Sequence, residues 1–298
     1  MSDYYKNLLS QAEKLRRHNR QGSYKTRERY FEAYKRFLRF LGEEYHLQKL
    51  SNISGKHLSA YISFMKDKGY SASTVKTDLS AIRFWHDKIS GAKYTLPQNT
   101  AFTLKRREFG KVDRTWSEAE FNKMISECWK TKHEDFEACI VLARYAGLRI
   151  HEVLRIDTAT ARNALKSKVL TIKGKGGKIR QMPINNTIEI ELRKFLMKTP
   201  RGQKLFVPEN TESHIVKAEL QNFIAHRRKN VCDKGRETNL TFHGLRHTYA
   251  AETYKQLIKD GYSDSHAKKK VSKLLGHERE DVTRIYLAGI QKDGDGNA

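Results

Sequence analysis

The chain has 298 residues, room for about two domains of ordinary size. Its 58 Lys plus Arg against 34 Asp plus Glu leave a formal charge of +24, which calls for a polyanionic partner. An apolar share of 38%, an aromatic share of 10% and a mean hydropathy of −0.75 exclude both an intrinsically disordered chain and a membrane protein.

The longest apolar runs, such as 138–146, are interrupted by Arg144 and fall short of the roughly 20 residues that cross a bilayer. Residues 1–20 are polar and charged with no apolar stretch behind them, unlike a secretory signal. The expected location is the cytoplasm, with no membrane partner. Cys128, Cys139 and Cys232 are too scattered for a disulfide framework or a paired zinc site and are expected to be reduced thiols.

Residues 4–17 and 24–45 read as the first two helices. In the second, Tyr30, Tyr34, Phe37, Leu38 and Leu41 recur at helical spacing while Arg27, Arg29, Lys35, Arg36 and Arg39 take the other faces. Ser54 is placed to cap a third helix that runs to Asp67 and closes at Lys68-Gly69. Ser73 is placed to cap a fourth, whose stripe is Val75, Leu79, Ile82 and Ile89. Together they predict a small all-helical bundle. Residues 91–115 hold Gly91, Pro97, Gly110 and the basic triplet Lys105, Arg106 and Arg107 without a sustained period, and the domain linker falls there. The resulting division is a helical domain over 1–108, a linker over 109–116 and a second domain over 117–298.

The second domain opens on Ser117-Glu118-Ala119-Glu120, a capping box that satisfies the first free amides of a helix. The next helix, about 135–146, stops at Gly147. Strands at 169–172 and 179–184 flank a Gly-rich turn over 173–178 and predict a β-hairpin. Beyond Thr187 the pattern is again helical, and the Gly, Asp and Asn of 292–298 predict a disordered tail. The fold class is mainly α with a small antiparallel β-sheet, in two domains.

Four short segments carry candidate chemistry. In Gly147-Leu148-Arg149-Ile150-His151-Glu152 a glycine ends one helix and an arginine begins the next, where a guanidinium can grip phosphate oxygens bidentately; the plainer reading is a salt bridge to Glu152. Lys173-Gly174-Lys175-Gly176-Gly177-Lys178-Ile179-Arg180 is not a P-loop, because Lys178 is followed by Ile179 and a strand rather than by Ser or Thr and a helix. A lysine-bearing hairpin tip can enter a DNA groove or approach a leaving oxygen, or it is a solvated basic turn. In His243-Gly244-Leu245-Arg246-His247, His243 and Arg246 share a helix face. Leu274-Leu275-Gly276-His277 precedes Tyr286, with Val282 and Ile285 as anchors between them. As one of 14 tyrosines, Tyr286 alone reads as core packing with a hydrogen-bonded tip.

Taken together and in this order, these segments resemble the tyrosine recombinase family, also called the phage integrase family, over nearly the whole chain. Arg149 in Gly-Leu-Arg-x-x-Glu is similar to the family's first catalytic arginine and Lys175 to its hairpin lysine. His243, Arg246, His277 and Tyr286 are similar to its His-x-x-Arg, Leu-Gly-His and nucleophilic Tyr. Residues 69–75 and 79–83 resemble its helical core-binding domain. Two features depart: the stretch between Arg246 and His277 is longer than is common, with an extra basic portion around 264–270 that offers an added DNA contact. Only twelve residues follow Tyr286, so a C-terminal helix docked in a neighbouring subunit is expected to be short or missing.

The resemblance implies an N-terminal core-binding bundle and a C-terminal α+β catalytic domain that form a C-shaped clamp on double-stranded DNA, and a homotetramer on paired sites. It implies attack of Tyr286 Oη on the scissile phosphate, giving a 3′-phosphotyrosyl link and a free 5′-hydroxyl. A phenol with a pKa near 10 needs a base, for which His243 is the candidate. Arg149, Arg246 and His277 stabilise the charge that builds on phosphate, and Lys175 protonates the leaving oxygen. No metal and no other cofactor is expected, since no carboxylate cluster accompanies these residues and the arginines supply the positive charge. Lys76 and Arg83 are candidates to face bases; Lys105, Arg106, Arg107, Lys178 and Arg180 are candidates for backbone contact. The expected biology is integration, excision or resolution of a mobile element. The rival readings are a type IB topoisomerase and a DNA-binding protein that keeps the fold without strand exchange.

Overall fold

The computed structural model describes residues 2–105, 112–174, 177–276, 283, 285–288 and 290. The chain divides into two compact units, Met1–Arg107 and Glu108–Ala298. Arg106 and Arg107 of the basic triplet, and the tail expected to be disordered, lie outside the described residues.

The first unit is built from α1 (Asp3–Arg17), α2 (Tyr24–Glu44), α3 (Gly55–Asp67) and α4 (Ala72–His86). Helix α2 packs against α1, α3 and α4, so the predicted stripe of Tyr34, Phe37, Leu38 and Leu41 is buried while Tyr30 is half-buried at its edge. The caps follow the sequence with one exception. Ser54 caps α3 with His57, whereas α4 starts after Ser71, whose hydroxyl accepts the Thr74 amide at 3.2 Å; Ser73, the expected cap, lies inside the first turn. Ser71 has the extended backbone that a capping residue needs. The helix ends before Ile89, which packs on the core from the following turn.

Residues 92–105, expected in the linker region, fold back on this unit. Leu96 is buried, Phe102 and Leu104 pack on the core, and Arg83 donates to Pro97 O at 3.0 Å and to Asn99 Oδ1 at 2.5 Å. Arg83, a candidate to face bases, is half-buried and makes both of these bonds within the unit. A buried polar knot ties three of the helices together: Asp78, 1% exposed, accepts from Arg36 at 2.7 and 3.2 Å and from the Tyr61 hydroxyl at 3.1 Å.

The second unit follows the order α5 (Glu118–Lys130), α6 (Glu134–Ala146), α7 (Ile150–Val153), α8 (Thr158–Ser167), β1 (Val169–Lys173), β2 (Ile179–Pro183), α9 (Asn186–Lys198), α10 (Ser213–Val231), α11 (Phe242–Lys259) and α12 (Asp264–Leu275). The Ser117–Glu120 capping box forms as expected. Trp116, assigned to the linker from sequence, is buried in this core. Helix α6 is apolar on nearly every side and packs against α5, α9 and α11, which makes it the central rod. Helix α8 was not foreseen, although Asp157 caps it by accepting the Thr160 amide at 2.7 Å.

Strands β1 and β2 pair antiparallel, with Val169 opposite Pro183 and Lys173 opposite Ile179. The register turns Leu170, Ile172, Arg180 and Met182 inward and leaves Ile179 70% exposed. Among the described residues no helix is long and apolar enough to cross a membrane.

Replacing Asp78 by Ala strands the Tyr61 hydroxyl inside the core and removes the partner of Arg36. The expected cost is about 2–3 kcal/mol, read as a lower urea midpoint of the transition that reports the first unit. An unchanged midpoint would show that the knot is not structural.

Candidate active site

The end of α6 sets the first element of the site. Gly147 adopts φ +59, a left-handed conformation that ends the helix, and a Cβ there would lie 2.4 Å from the Tyr249 ring. With no side chain in the way, its carbonyl accepts from Arg246 Nη1 at 2.5 Å and from Arg180 Nη2 at 3.5 Å. Two residues on, Arg149 stands just before α7. Its amide donates to Glu152 Oε2 at 2.8 Å and its Nη1 to Glu152 Oε1 at 2.9 Å, while its side chain keeps 26% exposure. The plain salt bridge and the projecting guanidinium are thus the same arrangement.

Glu152 is 1% exposed and also accepts from Arg180 Nη2 at 2.6 Å, with Arg246 Nη1 at 3.9 Å. Burial alone pushes its carboxyl up; Arg180, the Arg149 amide, Arg246 and the Arg149 side chain outweigh burial and hold it below the usual glutamate value. The carboxylate therefore stays charged and orients the arginines around it.

Arg246 comes from the second turn of α11 and is fully buried, donating to Gly147 O and, at 2.5 Å, to Leu275 O. Burial, then the charges of Arg180 and Arg149, push its pKa down to about 10, which leaves it cationic at neutral pH. The Tyr286 ring lies over it, with Cζ 5.6 Å from the ring centroid.

The Tyr286 hydroxyl is 3.2 Å from His243 Nε2. His243 is exposed as a residue, yet partial withdrawal of its ring from bulk water, followed by the charges of Arg246, Arg149 and Arg114, pushes its pKa down to about 4. At pH 7 the imidazole is neutral and can accept the phenol proton through Nε2. Its neighbour His247 was not foreseen as part of the site. It is 1% exposed, its ring centroid is 4.4 Å from that of Tyr286, and burial followed by the charges of His243, Arg114 and Arg246 pushes it down to about 3.

Lys175 and His277 lie outside the described residues, but Gly174 and Gly276, the residues just before them, are anchored here. Gly174 donates to Lys178 O at 2.7 Å across the base of the hairpin, and a Cβ on Gly174 would sit 3.5 Å from Glu152 Oε1. Gly276, the residue before His277, packs against Arg180 Cδ, and Arg180 Nη1 donates to Leu274 O at 2.7 Å. Arg180 is accordingly corrected from a DNA contact to a buried internal clamp, 8% exposed, which joins the hairpin to the ends of α6 and α12. Lys105 and Lys178 are exposed and Lys76 is half-buried on α4.

Three distant stretches thus bring a phenol, a neutral imidazole and two guanidinium groups together. Residues 114–292 match the Phage integrase family, and residues 8–96 match the Phage integrase N-terminal SAM-like domain. The chain belongs to the phage integrase family. Within the family it is 22% identical over 267 residues to tyrosine recombinase XerD of Oceanobacillus iheyensis, an alignment covering 85% of each chain. It shares its fold with XerH site-specific recombinase bound to a palindromic difH substrate in a post-cleavage complex, with a TM-score of 0.65 and 20% identity over 96% of this chain and 84% of that one. It also shares its fold with a lambda integrase tetramer bound to a Holliday junction, with a TM-score of 0.63 and 19% identity over 94% of this chain and 77% of that one.

Both histidines have folded pKa values below the ordinary 6.5, so the fold refuses protons that the unfolded chain accepts. Stability is therefore lost as pH falls from about 6.5 towards 4. The expected result is a melting temperature that drops over that window and drops less steeply in His247→Gln. Equal slopes in the two proteins would contradict the buried neutral state of His247.

Proposed function

We infer that the protein is a site-specific tyrosine recombinase that cuts and rejoins double-stranded DNA through a covalent link to Tyr286. The observation that carries this reading is the hydroxyl of Tyr286 at 3.2 Å from a neutral His243 and above Arg246, in a chain of the phage integrase family.

In this reading Tyr286 Oη attacks phosphorus, the new P–O bond forms as the bond to the 5′-oxygen breaks, and the phenol proton passes to His243 Nε2. The departing oxygen takes a proton from Lys175, and the product is a 3′-phosphotyrosine with a free 5′-hydroxyl. Arg149 and Arg246 donate to the non-bridging oxygens, and His277 adds a further hydrogen bond in this reading. Arg246 lies fully buried under the Tyr286 ring, so entry of the phosphate requires that ring to move aside. The covalent link conserves the phosphodiester energy, and a 5′-hydroxyl from a second duplex reverses the step.

Both units bind the duplex in this reading, consistent with the net charge of +24 and the separate matches of both units to integrase domains. Exposed Lys105 and Lys178 contact its backbone, and half-buried Lys76 faces it from α4. A tetramer on two paired sites is the working assembly, supported by the shared fold with the lambda integrase tetramer. We assign the enzyme to a mobile element on the long stretch from Arg246 to His277, which includes α12; terminal repeats or a transposase gene in the neighbouring DNA would support that assignment.

The test is single-turnover cleavage of a suicide substrate carrying the enzyme's site. Wild type is expected to yield a covalent protein–DNA adduct, Tyr286→Phe none, and His243→Gln an adduct formed roughly 10²-fold more slowly. A wild type that forms no adduct would falsify the reading. Relaxation of any supercoiled plasmid regardless of sequence would point instead to a topoisomerase.

A further inference from the structure

Residues 112–116 form a strap across the first turn of α11, held by bonds from both sides. Asp113 accepts from the Thr115 amide and hydroxyl at 2.8 Å, and Thr238 Oγ1 donates to Asp113 O at 2.9 Å. Arg236 Nη2 donates to Thr115 O at 2.8 Å, while Trp116 donates through its amide to Thr248 Oγ1 at 2.8 Å and through its indole to Thr241 O at 3.0 Å. Arg114 sits in the middle of this strap. Its carbonyl passes so close to Gly244 that a Cβ there would lie 2.6 Å away, so only glycine admits the strap at this height.

The Arg114 backbone is thereby fixed against the residue that follows His243. Its own side chain has a different character from the strap that carries it. It is exposed and has no hydrogen bond or ion pair among the described residues, whereas the guanidinium groups of Arg236 and Arg246 both donate to acceptors of the fold. Its charge nevertheless reaches the site, since it is among the causes that depress both His243 and His247. Nothing in the strap's bonding uses the guanidinium, and a cation on a fixed backbone, with no counter-charge among the described residues, raises the positive potential at the place where a phosphodiester must arrive. A guanidinium has the planar fork that matches phosphate oxygens.

We propose that Arg114 binds a phosphate of the strand being cut, next to the phosphate under attack, and so seats the DNA against the first turn of α11. This rests on the reading of the site as one that cleaves a phosphodiester. Arg114 is a binding residue here and takes no part in bond making.

The experiment compares wild type, Arg114→Gln and Arg114→Lys in single-turnover cleavage of a suicide substrate at subsaturating DNA. It is repeated on a set of substrates in which one phosphate at a time is replaced by an uncharged methylphosphonate. Arg114→Gln is expected to form adduct about ten-fold more slowly with an unchanged melting temperature, and Arg114→Lys to fall between the two. On one substrate, neutral at a phosphate flanking the cleavage point, wild type should slow to the Arg114→Gln rate and the difference between them should vanish. Equal rates for wild type and Arg114→Gln on unmodified DNA would overturn the proposal, as would a defect that persists on every methylphosphonate substrate. Absence of any wild-type adduct would instead sink the reading of the site, and the same substrate set scored by DNA binding would then test Arg114 by itself.

Discussion

Glu152 is a carboxylate out of reach of water, hydrogen-bonded to two arginines and 3.9 Å from a third, and the geometry of the catalytic unit follows from that placement. Guanidinium groups this close repel one another strongly in a low-dielectric interior, and one buried negative charge offsets the repulsion only if each donor is aimed at it or at a neighbouring carbonyl. The carbonyls of Gly147, Leu274 and Leu275 supply those remaining acceptors. The ends of α6 and α12, the hairpin and the second turn of α11 are therefore positioned by electrostatics as much as by packing. Removing the carboxylate would leave two buried cations, Arg180 and Arg246, to find water, and the unit would have to open to let it in.

Much of this was legible along the chain because the signals are local. The Ser54 and Ser117 caps, the stripe of α2, the stop at Gly147 and the hairpin all depend on residues a few positions apart, and the structure has each where the spacing puts it. Arg149, His243, Arg246 and Tyr286 were marked by short motifs, and the fold draws them together. Arg180 differs from its expected DNA contact for a physical reason: a basic residue beside a basic turn looks solvated. The strand alternation runs the other way, since Arg180 is in phase with Met182, and that phase was available in the sequence. Arg114 gave no such signal, because its relevance comes from packing against Gly244, more than a hundred residues away, and His247 is marked only by its contact with the Tyr286 ring, 39 residues on.

Several residues also show that the plain and the chemical reading of a side chain need not compete. Arg149 makes the ordinary salt bridge and keeps an exposed edge; Tyr286 packs among Ala250, Val271 and Leu275 and presents its hydroxyl to an imidazole. The imidazole in turn is kept uncharged first by withdrawal of its ring from bulk water and then by the neighbouring charges of Arg246, Arg149 and Arg114. The cluster of positive charge thus reinforces what burial begins, an empty proton acceptor beside the phenol.

The end of α12 has a geometrical consequence for the nucleophile. Arg180 and Arg246 fasten its last carbonyls to the hairpin and to α11, so the peptide that leads from Gly276 to Tyr286 departs from a fixed mooring. Ten residues of chain reach at most about 33–36 Å. Whatever assembly forms on DNA, covalent geometry alone bounds the distance between this phenol and the end of α12, and any phosphorus it attacks must lie within that bound.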